Sequence, residues 1–166
     1  NEYGKICGNY SLWSNLTIFW GCGTNLHRSP YNSRNHEYYS EDAVLTSGQA
    51  VAFISGGKEY GVIIAPKHLA FNDTEINRTG VSVFMTGQQA RENELRGTQA
   101  AIEDAGALGV MTAFNRVGIT AANAHTGLLK NILRGEWGFK GLESQDFIMN
   151  PNYAVLKEYA LNGGTM

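Results

Sequence analysis

Short apolar segments alternate with helix-forming segments four times along this chain, and this alternation restricts the fold more than any other feature. Strands that alternate with helices pair in parallel, and the helices cover the faces of the resulting sheet. The pattern fits a doubly wound α/β sheet and also consecutive βα units of a (β/α)8 barrel. The predicted strands are residues 16–20, 61–65, 108–113 and 142–145.

The predicted helices begin at residues that favour helix starts. Ser40 is suited to cap the first helix, with acidic Glu41 and Asp42 in its first turn. Thr86 and Gln89 have the spacing of a capping box at the start of the second helix. The predicted helices are residues 41–58, 86–106, 126–134 and 152–162.

Chain length and loop placement favour the barrel over the doubly wound sheet. A complete barrel needs about 250 residues, and this chain has 166. The sequence therefore predicts a partial (β/α)8 barrel with about four consecutive βα units. Long polar loops follow the predicted strands, where barrel enzymes carry their active sites. A cofactor-binding doubly wound domain is disfavoured because the chain has no GxGxxG motif.

Composition limits the classes of partner. The chain has 13 Lys and Arg against 15 Asp and Glu, a net charge of −2, which predicts neither a nucleic-acid nor a membrane partner. No apolar run approaches the roughly 20 residues that a membrane helix needs. Two cysteines and widely spaced histidines predict no metal site, and no motif indicates a cofactor. Bacterial cytoplasmic, periplasmic and secreted locations all fit a soluble composition of this kind.

Polar side chains follow each predicted strand. Parallel strands bring their carboxyl ends to one rim, so we expect these side chains to lie close together. Cations around a carboxylate keep it ionised and offer hydrogen bonds to a polyhydroxylated ligand, which favours carbohydrate chemistry. The rim residues are Arg34, Lys67, His68, Asn115, Arg116 and Asp146. The aromatic residues that could stack on a sugar are Trp13, Trp20, Phe114, Trp137 and Phe147.

Four separated motifs carry a resemblance to a known family. NLHRSPYNSRNHEYYSED (25–42), APKHLAFNDTEINRTGV (65–81), ALGVMTAFNRVG (107–118) and ILRGEWGFKG (132–141) occur in that order. The chain resembles glycoside hydrolase family 3 over most of its length, and its Lys-His motif is similar to the β-glucosidase branch. The resemblance implies that residues 1–166 are the central part of that family's N-terminal (β/α)8 catalytic domain.

The resemblance also implies roles for individual residues. Asp146 stands at the position of the catalytic nucleophile, and Met111 and Phe114, at the neighbouring strand end, are implied to bind substrate. Arg34, Lys67 and His68 stand where the family hydrogen-bonds the sugar. The implied reaction is retaining hydrolysis of a terminal β-glucosyl or xylosyl residue in an oligosaccharide or glycoside, through a covalent glycosyl-enzyme. The implied acid/base lies in a following domain outside this chain. The resemblance also implies that residues 1–166 pack against the remaining strands and helices of the same barrel. Lys67 and Arg34 are expected to form salt bridges that hold Asp146 deprotonated.

Two features of the sequence allow alternatives to a catalytic sugar-binding site. Local pairing of Arg34 with Glu37 or Asp42, and of Glu75 with Arg78, would make these residues structural. Glu143 in a predicted buried strand and Phe114, where the family often has tyrosine, are departures from the family pattern. The final NGGTM also lacks the family's usual acidic residue. These departures favour a second hypothesis, a carbohydrate-binding or regulatory barrel that does not hydrolyse its ligand.

Overall fold

A four-stranded parallel sheet forms the centre of the computed structural model, which describes residues 1–147 and 156–165. The strand order in this sheet is β1-β2-β4-β7, so each strand pairs with its predecessor along the chain in the central sheet. A small sheet of β3, β5 and β6 lies in the loops. The strands of the described residues are β1 (Ile18–Gly23), β2 (Ile63–Leu69), β3 (Ser82–Val83), β4 (Gly109–Thr112), β5 (Arg116–Val117), β6 (Thr120–Ala121) and β7 (Leu142–Gln145).

Helices connect the central strands and bury the apolar side of the sheet. The prediction of an α/β fold with a parallel sheet is confirmed. Side chains from β2, β4 and the helices form one core, in which Ile54, Ile64, Leu69, Val110 and Leu133 are at most 1% exposed. The helices are α1 (Glu2–Trp13), α2 (Ala43–Lys58), α3 (Gly87–Gln89), α4 (Arg96–Glu103), α5 (Leu156–Leu161), and the π-helical segments Ala90–Glu94 and Gly127–Glu136.

The predicted bounds of β1, β2 and β4 were wrong at both ends, and β1 and β2 continue past their predicted ends because the apolar runs are shorter than the hydrogen-bonded strands. β1 begins at Ile18 and continues to Gly23, beyond the predicted end at residue 20. β2 continues to Leu69, so Lys67 and His68 lie within this strand and not in the loop after it. The backbone groups of this part of β2 are hydrogen-bonded by parallel pairing with β4. The strand therefore continues although its side chains become polar. β7 has the predicted bounds.

Of the two predicted helix caps, Thr86 is confirmed and Ser40 is not. Thr86 accepts a hydrogen bond from the backbone N–H of Gln89 (3.1 Å), as a cap residue does. The cap of α2 is Asp42, which accepts from Leu45 N–H (2.6 Å). Ser40 was wrong as the cap, because its hydroxyl accepts from the Asp42 N–H (3.0 Å) in the preceding turn.

Several elements differ from the predicted pattern. The predicted second helix is interrupted by a π-helical segment, Ala90–Glu94, and the predicted third helix is the π-helix Gly127–Glu136. α1 was not predicted, because an apolar period is weak in EYGKICGNYSLW; it packs closely on α2 through Gly4 and Gly8. α5 lies within the predicted fourth helix, whose residues 152–155 fall outside the described residues. None of the described helices has both the length and the apolarity to cross a membrane.

Candidate active site

A cavity of about 460 Å³ opens beside the carboxyl ends of the central strands. Five of the six predicted site residues line it: Arg34, Lys67, His68, Met111 and Asp146. They come from four separate parts of the chain, and the parallel sheet brings them together as the rim prediction expected. The cavity is therefore the candidate active site.

Lys67 and His68 are neighbours in β2, yet both side chains reach the cavity. Strict alternation along a strand would send consecutive side chains to opposite faces. The register of β2 against β4 shifts between Lys67 and Leu69, and such an irregularity re-aims side chains. Asn25 fixes the backbone at this point, since its side chain accepts from His68 N–H (2.8 Å) and donates to His68 C=O (3.1 Å).

Asp146 follows the last residue of β7 and lies close to His68. Its Oδ2 is 3.6 Å from His68 Nε2, and its Oδ1 accepts from the Phe147 backbone N–H (2.8 Å). Burial raises the pKa of Asp146 above its ordinary value, against the opposing effects of the Phe147 N–H and the nearby cations. The nearby cations lower the pKa of Asp146, as expected, but burial raises it by more.

Lys67 and Arg34 make their direct ion pairs with Glu37, and the expected salt bridges to Asp146 are not formed in the described residues. Arg34 donates to both carboxylate oxygens of Glu37 at 2.7 Å, and Lys67 Nζ is 3.2 Å from Glu37 Oε2. These hydrogen bonds lower the pKa of Glu37 to about 2. Glu37 is consequently an anion that orients two cations at the cavity.

His68 is held by a buried chain of hydrogen bonds. Tyr38 Oη is 3.1 Å from His68 Nδ1, and Asn72 Nδ2 donates to Tyr38 Oη (2.9 Å) and to Glu75 Oε1 (2.8 Å). Burial lowers the pKa of His68 well below its ordinary value, and the charges of Arg34 and Lys67 lower it further. His68 is therefore neutral at physiological pH.

Arg78 and Glu75 form the second ion pair that was considered, and both also line the cavity. Arg78 Nη1 is 2.8 Å from Glu75 Oε2, and Arg34 Nη1 is 3.3 Å from Glu75 Oε1. The Arg78 guanidinium carbon lies 4.4 Å from the centroid of the Phe114 ring. Phe114 was thus misplaced by the prediction, because it is buried behind Arg78 and does not line the cavity.

Five further lining residues were only partly anticipated from the sequence: Trp20, Glu37, Glu75, Arg78 and Phe147. Of the aromatic residues that were predicted to stack on a sugar, Trp20 and Phe147 line the cavity. The Phe147 side chain is 83% exposed. Trp137 packs in the core instead. Glu37 and Glu75 were considered as structural partners, and their spacing from Arg34 and Arg78 was the available signal. Among the described residues, no group of three or more His, Cys, Asp or Glu side chains could hold a metal ion.

Glu143 is the one departure from the family pattern that lies within β7. It is 1% exposed, does not line the cavity, and its two carboxylate oxygens have no hydrogen-bond partner among the described residues. Its backbone C=O accepts from Tyr159 Oη and Thr165 Oγ1, both at 2.7 Å, so α5 and the segment after it are attached to β7 here. Burial raises the pKa of Glu143 to about 7.

Replacing Glu143 by glutamine is expected to stabilise the fold at pH 8. Between pH 4.5 and about pH 7 the Glu143 carboxyl keeps its proton in the folded state but loses it in the unfolded state. The free energy of unfolding therefore falls as the pH rises through this range. Glutamine removes this loss, which we expect to be worth about 3 kcal/mol. Urea unfolding at pH 4.5 and pH 8 measures it, with exposed Glu103→Gln as the control. An equal pH dependence in wild type and Glu143→Gln would contradict the expectation.

A carboxylate, cations and aromatic faces meet at the carboxyl ends of the parallel strands, which places this α/β protein in the class with a polar ligand site at the rim of the sheet. The profile of the glycosyl hydrolase family 3 N terminal domain matches residues 4–159, and the chain belongs to this family. The four βα units are accordingly part of the family's barrel, as the sequence resemblance indicated.

Named relatives and solved structures agree with this assignment. The chain is 35% identical over 146 residues to beta-glucosidase BoGH3A of Bacteroides ovatus, covering 88% of this chain and 20% of the relative. It is 39% identical over 144 residues to a beta-glucosidase of Rhizobium radiobacter, covering 87% and 18%. Beta-glucosidase 3B from Thermotoga neapolitana, solved in complex with glucose, superposes with a TM-score of 0.87 at 34% identity, covering 90% of this chain and 21% of that one. The chain therefore spans about a fifth of the length of these relatives.

Proposed function

We propose that this segment carries the nucleophile and half of the sugar-binding groups of a retaining β-glucosidase. The observation that supports it most is the placement of Asp146 Oδ2 at 3.6 Å from His68 Nε2, in the cavity that Lys67 and Arg34 also line. One sugar ring placed in this cavity would contact all four side chains. Relatives named beta-glucosidase, one of them solved with glucose, favour a terminal β-D-glucosyl substrate, with xylosyl as the alternative sugar.

The proposed reaction has two displacements at the anomeric carbon. In the first, an Asp146 oxygen forms a bond to that carbon while the bond to the leaving oxygen breaks, and an acid protonates the leaving oxygen. In the second, water attacks the same carbon, its proton passes to the base form of that acid, and Asp146 is released. Two inversions give net retention of configuration.

The acid/base is proposed to lie in a following domain of the intact protein, by which we mean this segment with the polypeptide that naturally flanks it. The other carboxylates in the cavity are occupied by cations, Glu37 by Arg34 and Lys67 and Glu75 by Arg34 and Arg78, and are not free to protonate a leaving oxygen. A retaining mechanism requires the acid about 5–5.5 Å from Asp146. Residues 1–166 would then belong to one N-terminal barrel domain that contacts the acid-bearing domain at this rim.

Aryl glycoside kinetics on the intact protein test the proposal. We expect 4-nitrophenyl β-glucoside to be hydrolysed with kcat/KM at least about 100-fold above its α-anomer, because only one face of the anomeric carbon can meet Asp146. The β-xyloside compares the two candidate sugars. Glucose binding in calorimetry, without turnover of any of these glycosides, would instead support the non-catalytic barrel and contradict hydrolysis.

A further inference from the structure

The proton of the neutral His68 ring has two alternative positions, and the surrounding hydrogen bonds distinguish between them. His68 is 3% exposed, so water cannot freely satisfy its ring nitrogens. Nδ1 faces Tyr38 Oη at 3.1 Å, and Nε2 faces Asp146 Oδ2 at 3.6 Å and Arg34 Nη2 at 3.3 Å. In a neutral imidazole one nitrogen donates and the other accepts, so the partner of Nδ1 decides which nitrogen faces the cavity as a donor.

The orientation of the Tyr38 hydroxyl follows from Asn72. Glu75 accepts hydrogen bonds only, so the Asn72 atom that lies 2.8 Å from Glu75 Oε1 is the amide nitrogen. The same nitrogen lies 2.9 Å from Tyr38 Oη, which must therefore accept from it. The Tyr38 proton is then directed to His68 Nδ1, which accepts it, and the ring proton of His68 lies on Nε2.

The opposite arrangement leaves two groups poorly satisfied. If Nδ1 carried the proton and donated to Tyr38, the Tyr38 hydroxyl proton would have no other acceptor among the described residues. The unprotonated Nε2 would also face the Asp146 carboxylate. Its one compensation is the second N–H of Arg34 Nη2, which lies 3.3 Å away, at the long end of the hydrogen-bond range.

We propose that Tyr38 is a positioning residue which, oriented by Asn72, holds the His68 proton on Nε2, facing Asp146 and the sugar cavity. The N–H there faces the Asp146 carboxylate across 3.6 Å, too far for a direct hydrogen bond, and can donate to a sugar hydroxyl in the cavity, so a neutral donor lies beside the attacking group. The low pKa of His68, caused first by burial, agrees with a neutral ring. The catalytic consequence depends on the proposed function, whereas the position of the proton does not.

Nitrogen NMR of the His68 ring tests the proposal directly. The intact protein is labelled with ¹⁵N-histidine, and the His68 signals are identified by their loss in His68→Asn. We expect wild type to show a protonated Nε2 and an unprotonated Nδ1. In Tyr38→Phe, Nδ1 loses its donor, and we expect the proton to shift toward Nδ1 as Nε2 accepts from Arg34. The kcat/KM for an aryl β-glucoside should fall by about 10- to 100-fold.

Tyr39→Phe is the matched control, because its hydroxyl contacts buried Cys22 and does not line the cavity. It should leave the His68 tautomer and the kinetics unchanged. A protonated Nδ1 in wild type, or a Tyr38→Phe protein that keeps Nε2 protonated, overturns the proposal; the wild-type measurement does not depend on the folding of Tyr38→Phe. If the tautomer shifts as expected but no glycoside is hydrolysed by wild type, the positioning role stands and the proposed function fails.

Discussion

Replacing Asp146 by asparagine is expected to lower kcat for an aryl β-glucoside by about 10⁴-fold or more in the intact protein. Asparagine has nearly the same shape but is a much weaker nucleophile, so the covalent step is lost while the cavity remains. Steady-state and single-turnover rates measure the loss. Sugar affinity should change far less, because Arg34, Lys67 and His68 still line the cavity.

Two controls connect this loss to the chemistry. Asp104→Asn, an exposed position at the end of α4, should retain wild-type rates. Azide should restore part of the activity of Asp146→Gly and give the α-glycosyl azide, because the small anion attacks from the face that the carboxylate has vacated. An Asp146→Asn protein that keeps more than about a tenth of the wild-type kcat would exclude Asp146 as the nucleophile.

Replacing Lys67 by methionine is expected to lower kcat/KM by about 10²-fold or more. The variant keeps most of the side-chain volume but removes the ammonium group that is proposed to donate to the sugar. It also removes one of the two cations paired with Glu37, whose carboxylate is 3.2 Å from Lys67 Nζ. Kinetics on the intact protein, with thermal unfolding to check the fold, give the result.

Lys140→Met is the control for this substitution, because Lys140 is exposed in the connection before β7. It should change kcat/KM by less than about twofold. A Lys67→Met protein with kcat/KM within about threefold of wild type would contradict a role for this lysine in sugar binding.

Three of the residues that reach the cavity were predictable because each follows or ends an apolar run. Asp146 comes directly after β7, and Lys67 and His68 end the apolar part of β2, so parallel pairing was enough to bring them together. The polar continuation of β2 was not predictable from hydrophobicity, since the register shift beside Lys67 depends on pairing with β4. The local pattern of apolar residues predicts that a strand is present, but it does not predict the residue at which the strand ends.

The hydrogen-bond partners were less predictable than the lining residues. Arg34 and Glu37 are three residues apart in sequence, a spacing that suggested their pair. Tyr38 and His68 are separated by 30 residues, and nothing in either segment shows that the two side chains meet. Similarly, Phe114 was placed in the cavity by its strand end, whereas the intervening Arg78 guanidinium covers its ring. Such contacts depend on tertiary packing that local patterns do not encode.

Covalent trapping is the measurement that tests the central claim most directly. The intact protein is incubated with 2,4-dinitrophenyl 2-deoxy-2-fluoro-β-glucoside, whose good leaving group needs little acid assistance and whose fluorine slows release of the intermediate. Intact mass and peptide mapping should show one fluoroglucosyl group on Asp146, absent from Asp146→Asn and retained in Asp104→Asn. An adduct on another carboxylate, or none on a folded protein that hydrolyses β-glucosides, would contradict the account.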